Sequence, residues 1–361
     1  MKHHRCLLIL VGCMLVTTVD AAQYQVVDLG DAAAESISAE GMVVGAVHPT
    51  EQAAALAPAP AFPFPFLPEG NFSRANGVSG PRVVGYSSTG HLGLQTHAFL
   101  WTAATGTQDL GTWGDPELFS AATAVNGAAT ICGYAEDPSL TSHPVVWIAG
   151  QLHDLGTLGG DRGFADAMNE QGDIVGESLT ADGRPHATLW PIEGGILDLD
   201  TPAGPQSFAR AVNNARQVVG GAVFTPVNNF HAFIWAPTTG MQDLGVLPGH
   251  GYSDATGIND AGVIVGTSVF LGMTPSQERA SAVLWWNGTI VDLNTQIDAP
   301  GWILERATAI NAAGWIVGQG TFQGQPRAFL LQPVPEELSA APDPGRRLVR
   351  VRHPHPHHPP R

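Results

Sequence analysis

The stretch His153 to Ser178, HDLGTLGGDRGFADAMNEQGDIVGES, holds a histidine, four aspartates, two glutamates and a glycine-rich turn. Alone it looks like catalytic material. Laid against the rest of the chain it is one joint of a repeat of about 45 residues, and a period in that range sets the architecture before any single residue is interpreted. A glycine closing a V-x-G or related run recurs at Gly45, Gly85, Gly133, Gly176, Gly220, Gly266 and Gly318, which counts seven units. Seven residues before five of these glycines stands an asparagine, Asn126, Asn169, Asn213, Asn259 or Asn311, and Ser38 and Val78 take that place in the first two units.

Each unit divides into four short β-type runs, such as SDATGIN, VIVGTS, an apolar run like HAFIW, and a run ending in DLG. The spacing from first to second run reads as constant, and NDAG, NAAG and NEQG carry tight-hairpin chemistry: Asn or Asp bonds its own backbone and the glycine takes the positive φ. From the closing tryptophan of the third run (Trp101, Trp147, Trp190, Trp235, Trp285) to the aspartate of the fourth is seven or eight residues. The other two connections vary, the DLG-to-Asn gap running from 10 residues (Asp28 to Ser38) to 19 (Asp292 to Asn311). Two constant and two variable connections in a four-stranded unit predict an all-β fold, a β-propeller with its length variation on one face. The chain between the signal region and the tail opens with YQVVDLG, a fourth-type run lacking its first three, and the last unit stops at the third-type run RAFLLQP. Together they make one blade, so the expectation is seven blades closed by the N-terminal strand. Blade one is the irregular place. EQAAALAPAPAFPFPFLPEG fills its third and fourth runs, and its prolines cannot donate to a ladder, so it is an edge or a loop. Six blades plus an irregular insert is the alternative count.

Composition agrees with short strands and many turns: 43 glycines and 28 prolines in 361 residues, with only 13% charged. A net charge of −16 argues against nucleic acid as a partner, because phosphate needs a concentrated basic surface. MKHHRCLLILVGCMLVTTVDAA has the basic start, apolar run and small-residue end of a secretory signal, so residues 1–21 read as removed and 22–333 as the propeller. LVGC also fits a lipoprotein box, which would place a lipid on Cys13. No later stretch is long and apolar enough to span a bilayer. The expected address is therefore extracellular or periplasmic. Cys132, at a position where other units carry valine, reads as a small buried residue outside any disulfide. Residues 334–361, rich in proline, histidine and arginine, read as a disordered tail.

HAFLW (His97 to Trp101), HAFIW (His231 to Trp235), DLGTLGG (Asp154 to Gly160) and GINDAGVIVG (Gly257 to Gly266) resemble the HAF repeats of probable extracellular bacterial proteins, over residues 24–332. The resemblance implies an exported repeat protein and supplies no catalytic residue. PVPEE (Pro333 to Glu337) is similar to the start of the PEP-type sorting signal common in that family, but no apolar helix and basic end follow it in the proper order.

A serine or threonine, the histidine and the DLG aspartate of one unit look like a nucleophile, base and orienter. An enzyme needs one such set, whereas His97, His143, His186 and His231 recur with Asp109, Asp154, Asp198 and Asp243. Copies of this kind read as structural, each pair satisfying strand ends and turns within its blade. The tryptophans read as core. GTLGGDRG is no phosphate cradle, since no GK[ST] follows, and no cofactor is indicated. Asp161, Asp166 and Asp173 lack EF-hand spacing. His353, His355, His357 and His358 could hold a transition ion, as any histidine-rich tract can. Where the repeat is broken, the candidates for ligand binding are Glu35, Asp166 and Arg210, which stand in the first run where other units have Thr123, Thr256 and Thr308. If the first run is innermost they line the channel mouth; a compensated ion pair or a solvated strand end is the plainer reading of the same charges. The function expected is a binding or interaction scaffold for an extracellular glycan or protein. The alternative is an extracellular enzyme, with polysaccharide as its candidate substrate and its site on the variable-loop face.

Overall fold

The seven runs that close on V-x-G form the second strands of seven four-stranded antiparallel sheets. A computed structural model describes residues 24–58, 60–90, 95–201, 204–224, 230–272, 274 and 277–334. The signal segment with Cys13, all of the tail beyond residue 334 and the four tail histidines lie outside these residues. The first strands of blades 1 to 7 are Ala32–Ile37, Ser73–Ser79, Ser120–Val125, Gly159–Met168, Ser207–Val212, Tyr252–Ile258 and Trp302–Ile310. Blade 7 takes its fourth strand from the N-terminal side: Tyr24–Asp28 pairs antiparallel with Gln325–Pro333, Tyr24 opposite Pro333 and Asp28 opposite Phe329. The ring is a seven-bladed β-propeller whose last blade is completed by the N-terminal strand, which covers the third-strand edge that an open array would leave there.

The blades converge at the axis, and the sequence supplies small residues there. Ala34, Ala75, Ala122, Ala165, Ala209, Ala255 and Ala307 on the first strands are all fully buried. Val44, Val84, Cys132, Val175, Val219, Val265 and Val317 lie behind them on the second strands, equally buried. Burial pushes the Cys132 thiol up to about 12, so it packs as the valines do. Farther out, where blades diverge, Phe99, Trp147, Phe233 and Phe329 fill the space at 1% exposure or less. Each such ring contributes roughly 2–3 kcal/mol of apolar burial.

Every first strand carries a one-residue bulge immediately after its buried alanine. The bulge explains the V-x-G glycine. A Cβ at any of the seven would lie 1.8–2.1 Å from a first-strand carbonyl oxygen, Phe208 O for Gly220 and Asp254 O for Gly266. No other residue fits so close a backbone approach.

Two sequence readings need adjustment. The first hairpin is not constant in length: Val78 faces Val83 in blade 2, whereas Val125 faces Ile131 in blade 3. Blade 2 is one residue shorter, so Ser79 rather than Val78 occupies the asparagine position. The proline-rich run of blade 1 supplies a third strand, Gln52–Ala57, with a bulge at Leu56, and a two-residue edge strand, Phe62–Pro63. Pro63 is confined to that edge, where no outer neighbour needs its missing N–H. Phe64, at 1% exposure, turns inward and packs 4.4 Å from the Trp101 ring.

Candidate functional site

The polar residues that repeat are consumed by the ring. His97 Nδ1 lies 2.8 Å from Asp109 Oδ2, and His186 and His231 each lie 2.9 Å from Asp198 and Asp243. The other oxygen of each aspartate accepts the amide two residues on, from Gly111, Asp200 and Gly245, which closes the DLG turn. His143 is the exception. It sits 3.7 Å from Asp154 and 3.5 Å from Asp137, and its buried Nδ1 has no partner. Ser120, Ser207 and Ser253 accept the third-strand amides of Ala98, Ala187 and Ala232 in the preceding blade. Trp147, Trp190 and Trp285 donate their indole N–H to carbonyls of the preceding DLG turn.

The asparagines do more than the hairpin required. Asn169 Oδ1 accepts from the amides of Gln171 and Asp173 in its own turn. Its amide group then donates to Asn213 O of the next blade, Asn213 to Asn259 O, Asn259 to Asn311 O, and Asn311 to Ser38 O across the closure. A polar relay therefore joins blades 4 to 7 and blade 1 on the constant face, where each buried amide finds acceptors.

The seven bulged residues are Glu35, Asn76, Thr123, Asp166, Arg210, Thr256 and Thr308. All seven line the central channel, so Glu35, Asp166 and Arg210 come together as the innermost position required. The threonines donate across blades: Thr123 to Ala165 O, Thr256 to Ala307 O and Thr308 to Ala34 O. The charged members are paired. Arg210 donates to Asp166 at 2.9 Å, and Arg74 holds Glu35 through Nε and a terminal nitrogen. Asn76 escaped the sequence comparison because the short blade-2 hairpin displaced it by one position. Beyond the bulges, toward the constant face, the channel is lined by Ile37, Val78, Val125, Met168, Ile258 and Ile310.

Toward the variable face, the residues two before the bulge form a further tier. Arg74, Phe164, Phe208, Asp254 and Arg306 stand here, opposite second-strand Tyr86, Glu177, Gly221, Thr267 and Gln319. Sequence reading missed this tier by comparing a single column of the repeat. Aligning the position two residues earlier exposes its mixture of arginine, aspartate and aromatic against alanine in blades 1 and 3. Burial, reinforced by Asp166, pushes Glu177 up to about 7, although Arg210 and Arg162 oppose. Burial also raises Asp166 and Asp254, with Arg210 opposing in both. Asp254 is 7% exposed and its Oδ1 has no partner. Aromatic rings flank these charges: Phe230 stacks on Tyr252 at 5.2 Å, and Arg210 lies 5.5 Å over Phe208.

Among the described residues no group of three or more histidine, cysteine or acidic side chains is placed to hold a metal, and no helix is long and apolar enough to cross a membrane. No family model and no curated protein matches the sequence. Solved structures do. The β-propeller domain of the Trilobed protease from Pyrococcus furiosus, reported with an open velcro topology, is 9% identical and superposes with a TM-score of 0.50 over 73% of this chain and 84% of that one. TolB from Acinetobacter baumannii is 11% identical, with a TM-score of 0.43 over 70% of this chain and 64% of the other. The first likeness is one of fold.

Proposed function

We propose that the chain is an exported, HAF-like repeat protein that acts as a binding scaffold, with its ligand at the channel mouth on the variable-loop face. One observation carries this reading. Residues copied from blade to blade are spent on hydrogen bonds within the ring, whereas residues that break the repeat gather about the channel: Glu35, Asp166 and Arg210 line it, Arg74 and Arg306 line its mouth, and Asp254 and Glu177 lie close enough to act on the Arg210 charge. A closed ring with variable loops on one face tolerates change there without loss of the blades. A screen of glycans, peptides and small molecules against the protein tests it: a hit whose affinity collapses in Tyr252→Ala and survives in His231→Ala supports the mouth, and the reverse pattern overturns it.

A second reading rests on Glu177, whose carboxyl, raised to about 7 beside Asp166, has the property a general acid needs at neutral pH. Release of reducing ends from a polysaccharide, abolished in Glu177→Gln, would make the protein a hydrolase; binding without release retains the scaffold.

A further inference from the structure

From the arginines at the channel mouth we infer that the ligand group taken there is the carboxylate of an acidic sugar, a uronate-type residue. The inference rests on the mouth being the binding site and names the class of ligand. Outside the N-terminal segment the chain's cations are all arginine, since its one lysine is Lys2, and acidic residues outnumber basic ones 32 to 16. Against that acidic background a cavity of about 300 Å³ at the mouth gathers Arg74, Arg210 and Arg306, with one carboxylate, Glu35, and the amide of Gln319.

The three guanidiniums are not equivalent. Glu35 fixes Arg74, and Asp166 fixes Arg210 from the channel side. The Arg306 residue is exposed and its guanidinium forms no hydrogen bond or ion pair among the described residues, nor does the side chain of Gln319, its partner in the strand ladder. Arg306 therefore has its full planar fork available, and a carboxylate matches that fork with two parallel hydrogen bonds. Arg210 meets Asp166 through one nitrogen, which leaves further donors beside Arg306. Asp254 lies near enough that Arg210 and Arg306 both oppose the rise burial imposes on its carboxyl, but it makes no ion pair with either guanidinium and is not among the residues lining the cavity.

Aromatic surface decides between the anions such a fork can take. Tyr252 lies close enough to feel both Arg210 and Arg306, Phe208 sits under Arg210, and Tyr86 neighbours Arg74. These rings are only part-buried. A pyranose presents a C–H face to such rings and its acidic group to the arginines, whereas a bare phosphate uses the charge alone and leaves the rings idle. The cavity volume is at the lower end for ligand sites, which suits one sugar residue with the rest of the chain lying across the variable face.

Titration of the purified protein with trigalacturonate, galactotriose, inorganic phosphate and a hexaglutamate peptide tests the inference. Trigalacturonate should bind at least about tenfold tighter than the other three, a difference of about 1.4 kcal/mol, and weaken as salt rises from about 50 to about 500 mM. Arg306→Gln, at an exposed unpaired residue, should lose about tenfold for trigalacturonate with its melting temperature unchanged. Equal binding of phosphate or hexaglutamate overturns the sugar, and equal binding of galactotriose overturns the carboxylate. If a neutral ligand from the wider screen binds, loses affinity in Tyr252→Ala and ignores Arg306→Gln, the acidic sugar falls while the mouth remains the site. Binding insensitive to both variants removes both.

Discussion

At the scale of single residues, the histidine and aspartate that look catalytic in one unit owe their positions to a turn and a strand start. Removing the His186 or His231 ring leaves an aspartate without its 2.9 Å partner, a loss of about 1 kcal/mol for each hydrogen bond. His97 adds a pH signature. Its bond to Asp109 raises it above the ordinary histidine value, against the opposing effect of burial, so the protonated pair stabilises the fold below about pH 6.5 and that stability is lost as pH rises through the raised value. Melting curves of the native protein and His97→Ala should therefore lie farther apart at about pH 5.5 than at about pH 8.5; an equal gap contradicts the pairing. Asp173 makes a second residue-scale case. Burial disfavours its charge, but Arg216, the Ile192 amide and Asn169 hold its carboxyl below the usual range. Arg216 meets both its oxygens, at 2.9 and 2.7 Å. Because Asp173 is fully buried and Arg216 is 30% exposed, Asp173→Asn should cost about 2 kcal/mol, somewhat less than a fully buried pair would. The contribution of Asp173 is present above its unfolded pKa and disappears as pH falls through the lowered one.

At the scale of the strand and hairpin, much was readable and some was hidden for definable reasons. Period, turn chemistry and the contrast between two short, nearly constant connections and two variable ones located the blades, because a four-stranded sheet that packs only on its neighbours must repeat its apolar and turn positions. The first-strand bulge was not readable, since an extra unpaired residue leaves no composition of its own. It shows only as the glycine facing it, and for that reason Gly220→Ala should destabilise by about 3 kcal/mol or more despite the high strand tolerance of alanine elsewhere, with denaturant midpoints as the readout. The tier of Arg74, Asp254 and Arg306 was hidden for a related reason. A single aligned column registers one ring of residues and not the ring two positions earlier, and for Arg74 the one-residue slip of the blade-2 hairpin shifts the column as well. Glu35, Asp166 and Arg210 were found because their column is the bulge itself. The plainer reading of Asp166 and Arg210 as an ion pair holds together with their place in the channel.

For the whole molecule, the account separates two populations of polar residues in one ring: copies that fasten blade to blade, and departures that gather where seven first strands meet. The N-terminal strand belongs to the first population. Removing Tyr24–Asp28 strips the outer partner from Gln325–Pro333 and leaves that strand as an open edge, so the truncated chain should melt lower and self-associate on a sizing column. The separation is tested most directly by melting His186→Ala, His231→Ala and Arg306→Gln side by side at neutral pH. The account predicts that both histidine variants melt about 2 °C or more below the native protein while Arg306→Gln melts with it. Unchanged melting of the histidine variants, with a drop confined to Arg306→Gln, would contradict it.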